Sequence, residues 1–307
     1  MDHGPNGAIA QTRRLKQANR TSPFMSRLFI ILQYLLPQHG LSRLLGRFAE
    51  GQWLKNLLIK LFVRRYKVDL SEAEISEPTD FKNFNDFFTR ALKPDARPLA
   101  EDVDAILCPA DGCISEMGMI EEDRILQAKG RYYTVAKLLA DEEDAQHFLG
   151  GSFATVYLSP RDYHRVHMPI EGSLLKTVYV PGKLFSVNQA TADSVPDLFA
   201  RNERLVCLFE TPVGKMALVL VGAMVVAGIE TVWAGQVCPA TRRELTHTDY
   251  TQSNPPVQLA SGAEMGRFKL GSTAIVLFEA GAVALEETLA AGSPTRMGQR
   301  IAQALNP

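Results

Sequence analysis

Three side-chain types in this chain could together activate a nucleophile, and a glycine beside one of them suggests what it would attack. Ser272 lies in Leu270-Gly271-Ser272-Thr273, two histidines lie in Asp162-Tyr163-His164-Arg165-Val166-His167, and an acid lies in Ala110-Asp111-Gly112. A hydroxyl, an imidazole to take its proton and a carboxylate to orient the imidazole form a nucleophilic set. Singly they are weak signals: Asp-Gly is a common turn, Gly-Ser-Thr is frequent in strands, and one histidine is more often structural than catalytic. His164 and His167 are three apart and could share a helix face as metal ligands. No third ligand is evident, however, and Pro160 and Pro169 frame a loop as readily as a helix, so no metal is expected. Ser272 directly follows a glycine, whose carbonyl no side chain shields. That points to chemistry on the chain itself. Two other readings stay open: a serine hydrolase using Ser272, His167 and Asp111 on an external ester or amide, though without a Gly-x-Ser-x-Gly elbow, and a noncatalytic β module that docks on membranes.

The elements that must position these residues change character along the chain. Between Ser22 and Val68 the pattern is helical and apolar. One run carries Leu28, Ile31, Leu32, Leu35 and Leu36, a second Leu41, Leu44, Leu45 and Phe48, and a third Trp53, Leu54, Leu57, Leu58, Leu61 and Phe62. That stretch holds eight Lys/Arg against one acid, Glu50, although the whole chain has a net charge of -1. Apolar helices edged by cations suit an anionic membrane surface; the alternative is a bundle packed on the main domain. Phe81, Phe84, Phe87 and Phe88 predict a short helix whose aromatic face docks into a core. From Ala105 onward, short β-type runs alternate with Gly and Pro: Phe153–Leu158, Leu174–Val180, Leu205–Glu210, Met216–Val221, Val225–Glu230 and Thr273–Phe278. Helices are expected at Val135–Glu143 and Pro196–Arg201.

Composition narrows the class. A hydrophobic fraction of 46% in 307 residues supports a sizeable core. Near-neutral charge gives no field for nucleic acid, and no nucleic-acid motif appears. Cys108, Cys113, Cys207 and Cys238 are expected to be buried free thiols. No secretory leader is visible, Met1–Arg20 reads as a polar disordered tail, and the longest apolar runs fall short of the ~18–20 residues a spanning helix needs.

Taken in order, the motifs resemble one family. After Ala110-Asp111-Gly112 and Tyr163-His164-Arg165-Val166-His167-Met168-Pro169 come Pro181-Gly182-Lys183-Leu184-Phe185-Ser186-Val187-Asn188 and Phe199-Ala200-Arg201-Asn202-Glu203-Arg204. Then follow Gly222-Ala223, Glu230-Thr231-Val232-Trp233-Ala234-Gly235 and Glu264-Met265-Gly266-Arg267-Phe268-Lys269-Leu270-Gly271-Ser272-Thr273. From about Phe81 to Phe278 the chain resembles the phosphatidylserine decarboxylase proenzymes, in the Leu-Gly-Ser-Thr form associated with bacterial and mitochondrial members.

That resemblance implies a function and a site. Asp111, His167 and Ser272 would form a self-cleavage triad in which His167 takes the Ser272 proton and the hydroxyl attacks the Gly271 carbonyl. Elimination from the resulting ester and hydrolysis would leave a pyruvoyl group at position 272, a large β chain 1–271 and a small α chain 272–307. The pyruvoyl carbonyl would form a Schiff base with phosphatidylserine, accept the electrons left by carbon dioxide and release phosphatidylethanolamine, a step of phospholipid biosynthesis. His164 would assist decarboxylation or the later protonation. The implied organisation is α+β: a disordered tail 1–20, membrane-associating helices and connector 21–98, and a β-rich barrel-like or sandwich catalytic domain 99–307. The enzyme would sit peripherally on the cytoplasmic side of the cell membrane, against an anionic lipid surface. Homo-oligomerisation is left open.

Overall fold

In a computed structural model, the structure describes residues 23–224, 228–238, 240, 243–269 and 272–305. The expected tail Met1–Arg20 and Gly271 of the expected cleavage site lie outside the described residues. The chain divides into two units, 1–36 and 37–307. The first contributes the helix Pro23–Leu35. The second holds everything that bears on the site.

Two helices, Gln38–Glu50 and Lys55–Tyr66, open the second unit. The first ends at Gly51, and the second ends where Lys67 turns left-handed (φ 54°). The aromatic run forms the short helix Phe84–Phe88, started by the Asn83 side chain, which accepts a hydrogen bond from the Asp86 N–H. Its phenylalanines do not enter the β core. Phe81, Phe84, Phe87 and Phe88 pack with Ala49, Ile59 and Val68 into a separate cluster. The helices thus carry a small core of their own.

Beyond residue 104 the fold is mostly sheet, with antiparallel pairing throughout the large sheet. Among the described residues that sheet has nine strands, eight of them in the order Thr246–Asp249, Gly172–Val180, Arg204–Thr211, Gly214–Gly222, Ser272–Phe278, Ser152–Leu158, Gly112–Met119, Pro294–Thr295. A four-stranded sheet runs Gly235–Cys238, Gly228–Thr231, Glu264–Lys269, Arg165–His167. The large sheet is open at both ends, so the barrel expectation is corrected: its outermost strands, at 246–249 and 294–295, do not pair with each other. Buried residues of both sheets, including Val156, Leu220, Ala274, Val166, Ile229 and Phe268, belong to one apolar cluster. The strand Ser272–Phe278 is buried at every position, as its continuous apolar run requires.

Differences from the expected elements have local causes. The helix expected over Val135–Glu143 is two, Val135–Leu139 and Glu142–Gln146, because Ala140 adopts a left-handed conformation (φ 54°) and Asp141 caps the second. The strand expected from Val225 is described from Gly228, residues 225–227 lying outside the description. The cysteines are free thiols, but Cys113 is only half-buried. No helix among the described residues is long and apolar enough to cross a membrane.

Candidate active site

The chain passes from the small sheet to the large one at the Gly-Ser motif. Lys269 ends a strand of the four-stranded sheet, and Ser272 begins the central strand of the other, opposite Gly222 on one side and Leu158 on the other. Ser272 is fully buried, and its Oγ has no hydrogen-bond partner among the described residues. Burying a hydroxyl without a partner costs about 1–3 kcal/mol. Ser42 and Ser152 share that condition, so what sets Ser272 apart is its place at the junction of the two sheets.

The histidine segment is extended rather than helical, with Arg165–His167 paired to Glu264–Arg267. His164 and His167 therefore have different surroundings. His164 is completely buried; its Nδ1 lies 2.8 Å from the Asp162 carbonyl, and its ring packs 4.0 Å, centroid to centroid, from Phe88. Burial pushes its pKa down to about 3, with the Asp162 carbonyl opposing and Arg90 adding to the effect. The ring is neutral at pH 7, donates from Nδ1, and leaves Nε2 buried without a partner among the described residues. His167 is held at both nitrogens, Nδ1 2.8 Å from the Gly262 carbonyl and Nε2 3.0 Å from the Tyr163 hydroxyl. Burial also lowers its pKa, against the Gly262 carbonyl and the charges of Glu264 and Asp111.

Asp111 lies next to the histidine segment, because the His167 N–H donates to the Pro109 carbonyl at 2.8 Å. Its carboxylate is committed elsewhere. Arg97 donates to it from Nε at 2.9 and 3.0 Å and from Nη2 at 2.5 Å, and the Met297 N–H adds a bond of 2.9 Å. Arg97 also donates to Glu72 at 2.8 Å. Burial works against the Arg97 charge, but the bonds and charges of Asp111 and Glu72 outweigh it and hold its pKa above the ordinary value. The turn at 111–112 needs glycine: a Cβ on Gly112 would come 2.1 Å from the Tyr157 carbonyl oxygen.

The expected orientation of His167 by Asp111 is thus not a hydrogen bond here. The Gly262 carbonyl fixes the ring, and Asp111 acts on it through charge. Arg97, Tyr163 and Gly262 carry parts that the sequence motifs did not assign. Arg97 had a faint signal, a lone arginine between Pro94 and Pro98; a backbone carbonyl leaves none. The helix Phe84–Phe88 and the residues after it brace the histidine segment. Besides the Phe88 ring, the Thr89 carbonyl accepts from Arg165 Nε at 2.9 Å, and Arg90 Nη2 donates to the carbonyls of Arg161 and Asp162 at 3.0 and 3.3 Å. A cavity of about 560 Å³ opens beside Asp111, walled by Arg90, Arg97, Arg161, Asp162, Tyr163 and Arg296 among others.

The motifs at 181–188 and 199–204 support the strand next to Ser272. Asn202 Nδ2 donates to the carbonyls of Phe185 and Gly222, both at 2.9 Å, while its Oδ1 accepts from the Phe185 N–H. Gly182 allows that approach, since a Cβ there would lie 2.5 Å from backbone atoms of Arg201, Asn202 and Glu203.

Comparison with known proteins agrees with the ordered motifs. A family model described as phosphatidylserine decarboxylase matches residues 84–303, and another described as PSD matches residues 28–67. A phosphatidylserine decarboxylase proenzyme of Ectopseudomonas mendocina is 60% identical over 282 residues, covering 91% of this chain and 98% of that relative. Proteins of the same name from Pseudomonas aeruginosa and Pseudomonas putida are also 60% identical, covering 91% and 90% of this chain and 98% of each relative. Helical preface, histidine segment and Gly-Ser motif all lie inside these alignments, and the chain belongs to the phosphatidylserine decarboxylase family.

Proposed function

We propose that the chain is a proenzyme that cuts itself between Gly271 and Ser272 and then decarboxylates phosphatidylserine to phosphatidylethanolamine. The observation that carries the self-cleavage is the complete burial of Ser272 at a sheet-to-sheet junction. An external ester cannot reach a hydroxyl with no exposed surface, whereas the carbonyl of the preceding residue is one bond away in sequence. This disfavours the hydrolase reading.

In the proposed step the Ser272 hydroxyl proton passes to His167, the Oγ–C bond to Gly271 forms, and the C–N bond between 271 and 272 breaks as nitrogen takes a proton. Loss of the Gly271 carboxylate from the ester by elimination, followed by addition of water and loss of ammonia, leaves a pyruvoyl group at position 272. The site fits that group: Ser272 is a small, fully buried side chain whose Oγ has no hydrogen-bond partner among the described residues, so no existing hydrogen bond is lost when that oxygen leaves with Gly271. Once formed, it supplies an electrophilic carbonyl that captures the substrate amine and holds the electron pair left by carbon dioxide. His164 is neutral at pH 7 and a weak base, so any proton that its Nε2 takes up in the reaction would be returned readily. Asp111, paired with Arg97, favours through its charge the imidazolium that forms on His167.

The helices bring the site to lipid. Trp53, Leu57 and Leu61 are 92, 55 and 53% exposed, and an apolar groove of about 580 Å³ runs between Leu45, Phe48, Leu58, Phe62 and Phe84 with Arg65 at its edge. Exposed apolar side chains among Lys55, Lys60, Arg64 and Arg65 suit peripheral binding to an anionic membrane face.

Denaturing mass spectrometry tests the reading. The purified protein should give two fragments meeting at 271/272, the smaller blocked at its first residue, and should convert phosphatidylserine in vesicles. Ser272→Ala should remain one chain of about 33.9 kDa with no activity. An intact wild-type chain that is active would sink the proposal.

A further inference from the structure

His167 has one lone pair, and the structure says where it is. A carbonyl oxygen can only accept, so the 2.8 Å contact with Gly262 requires the proton to sit on Nδ1. Nε2 is then the acceptor, and the Tyr163 hydroxyl, 3.0 Å away, is its donor. The phenol is only 5% exposed, and that burial raises its pKa, so it keeps its proton. The nitrogen that must take the Ser272 proton is therefore already occupied.

We infer that Tyr163 is a positioning residue for self-cleavage. Its hydroxyl fixes the lone pair of His167 Nε2 and weakens that nitrogen as a base until the serine proton is transferred. The inference rests on the reading of His167 as the base. Two anchors, Gly262 and Tyr163, define the ring plane, and removing either frees it to turn about its side-chain bonds. Donation to Nε2 also favours the neutral ring, so losing the donor makes Nε2 easier to protonate. The charged and titratable groups acting on His167 besides Tyr163 are Glu264, Arg165 and Asp111; on Tyr163 they are Arg165, Glu264, Asp111 and Arg267. Glu264 is itself paired with Arg165 at 2.8 Å and Arg267 at 2.7 Å, and Asp111 with Arg97, so these charges are tied to fixed partners. The residue left free to set Nε2 is Tyr163.

The test is the pH profile of self-cleavage in Tyr163→Phe, which keeps the ring and removes the hydroxyl. Full-length precursor from brief cell-free synthesis is diluted into buffers spanning about pH 5.5 to 9, and cut chain is followed on denaturing gels. The half-point of the rising limb should move up by about half to one pH unit, the size of one lost hydrogen bond. The plateau rate should fall severalfold because the ring has lost an anchor. A half-point that coincides with wild type, in a protein where His167→Ala blocks cleavage, overturns the role of Tyr163. Normal cleavage by His167→Ala overturns the underlying assignment of the base instead. A second readout needs no cleavage. In the Ser272→Ala chain with ¹⁵N-labelled histidine, adding Tyr163→Phe should shift the His167 Nε2 resonance and raise its titration midpoint. An unchanged resonance and midpoint would overturn the inference.

Discussion

His164 makes a prediction about stability that does not depend on catalysis. In the folded chain its pKa is lowered to about 3 by burial, while in the unfolded chain an imidazole titrates near 6.5. Above about pH 6.5 both states are neutral and the group contributes no pH dependence. As pH falls from 6.5 towards 3, the unfolded chain takes up a proton that the folded chain refuses, so stability is lost across that window. The slope from one such group is at most about 1.4 kcal/mol per pH unit. Urea unfolding of the uncut Ser272→Ala chain should therefore show stability falling between about pH 6.5 and 4, partly through His164. Adding His164→Gln should flatten the slope by up to one proton, whatever it does to the absolute stability. Equal slopes would mean that the folded ring takes up its proton as readily as the unfolded one.

At the scale of elements, the helix Phe84–Phe88 does most to connect the helical core to the histidines. Phe88 is 1% exposed, packs in the helical cluster, and lies against the His164 ring. Phe88→Ala should cost about 3–5 kcal/mol, the range for deleting a buried phenyl ring. It should also slow self-cleavage, because Thr89 and Arg90, which brace the histidine segment, follow directly on the same turn. Thermal or urea unfolding measures the first effect and the cut fraction at fixed time the second; normal stability would mean that the cluster closes around the gap. This element was legible in the sequence as four phenylalanines at helical spacing, but its packing partner was not. Spacing reports which face is apolar, and only the tertiary fold says what covers it. The strands 152–158, 204–211 and 272–278 were readable for a stronger reason, since continuous β-branched and leucine runs bounded by Gly or Pro have few other uses. The site divides in the same way. Asp111, His164, His167 and Ser272 stand in motifs, whereas the Arg97–Asp111 pair spans 14 residues with nothing between them to announce it. The Gly262 carbonyl is backbone, and no residue type encodes it.

On the proposed function, one chain needs both a rigid junction and a greasy preface. The proposed self-cleavage would require two strands in two sheets to hold Lys269 and Ser272 while the bond between them is exchanged, and the strand Ser272–Phe278 is buried at every position. The proposed decarboxylation would act on a headgroup held in the bilayer, so the catalytic unit would have to come to the lipid. Helix Lys55–Tyr66 offers both terms of such an encounter: apolar Leu57 and Leu61 exposed beside Trp53, and the cations Lys60, Arg64 and Arg65. The two terms separate experimentally. Leu57→Asn with Leu61→Asn removes apolar area worth about 1.5–3 kcal/mol for each side chain that inserts, so binding to vesicles should weaken more than tenfold with or without anionic lipid. Lys60→Gln with Arg64→Gln and Arg65→Gln removes about 1 kcal/mol per charge near an anionic surface. This variant should lose affinity for phosphatidylserine-containing vesicles, lose its salt dependence, and bind neutral phosphatidylcholine vesicles as wild type does. Sedimentation of the purified protein with each vesicle type measures both. Neither set touches a residue of the candidate site, so self-cleavage should proceed normally in both proteins. If both variants sediment as wild type does, this helix does not carry the membrane contact, and its exposed leucines must be covered by something other than lipid.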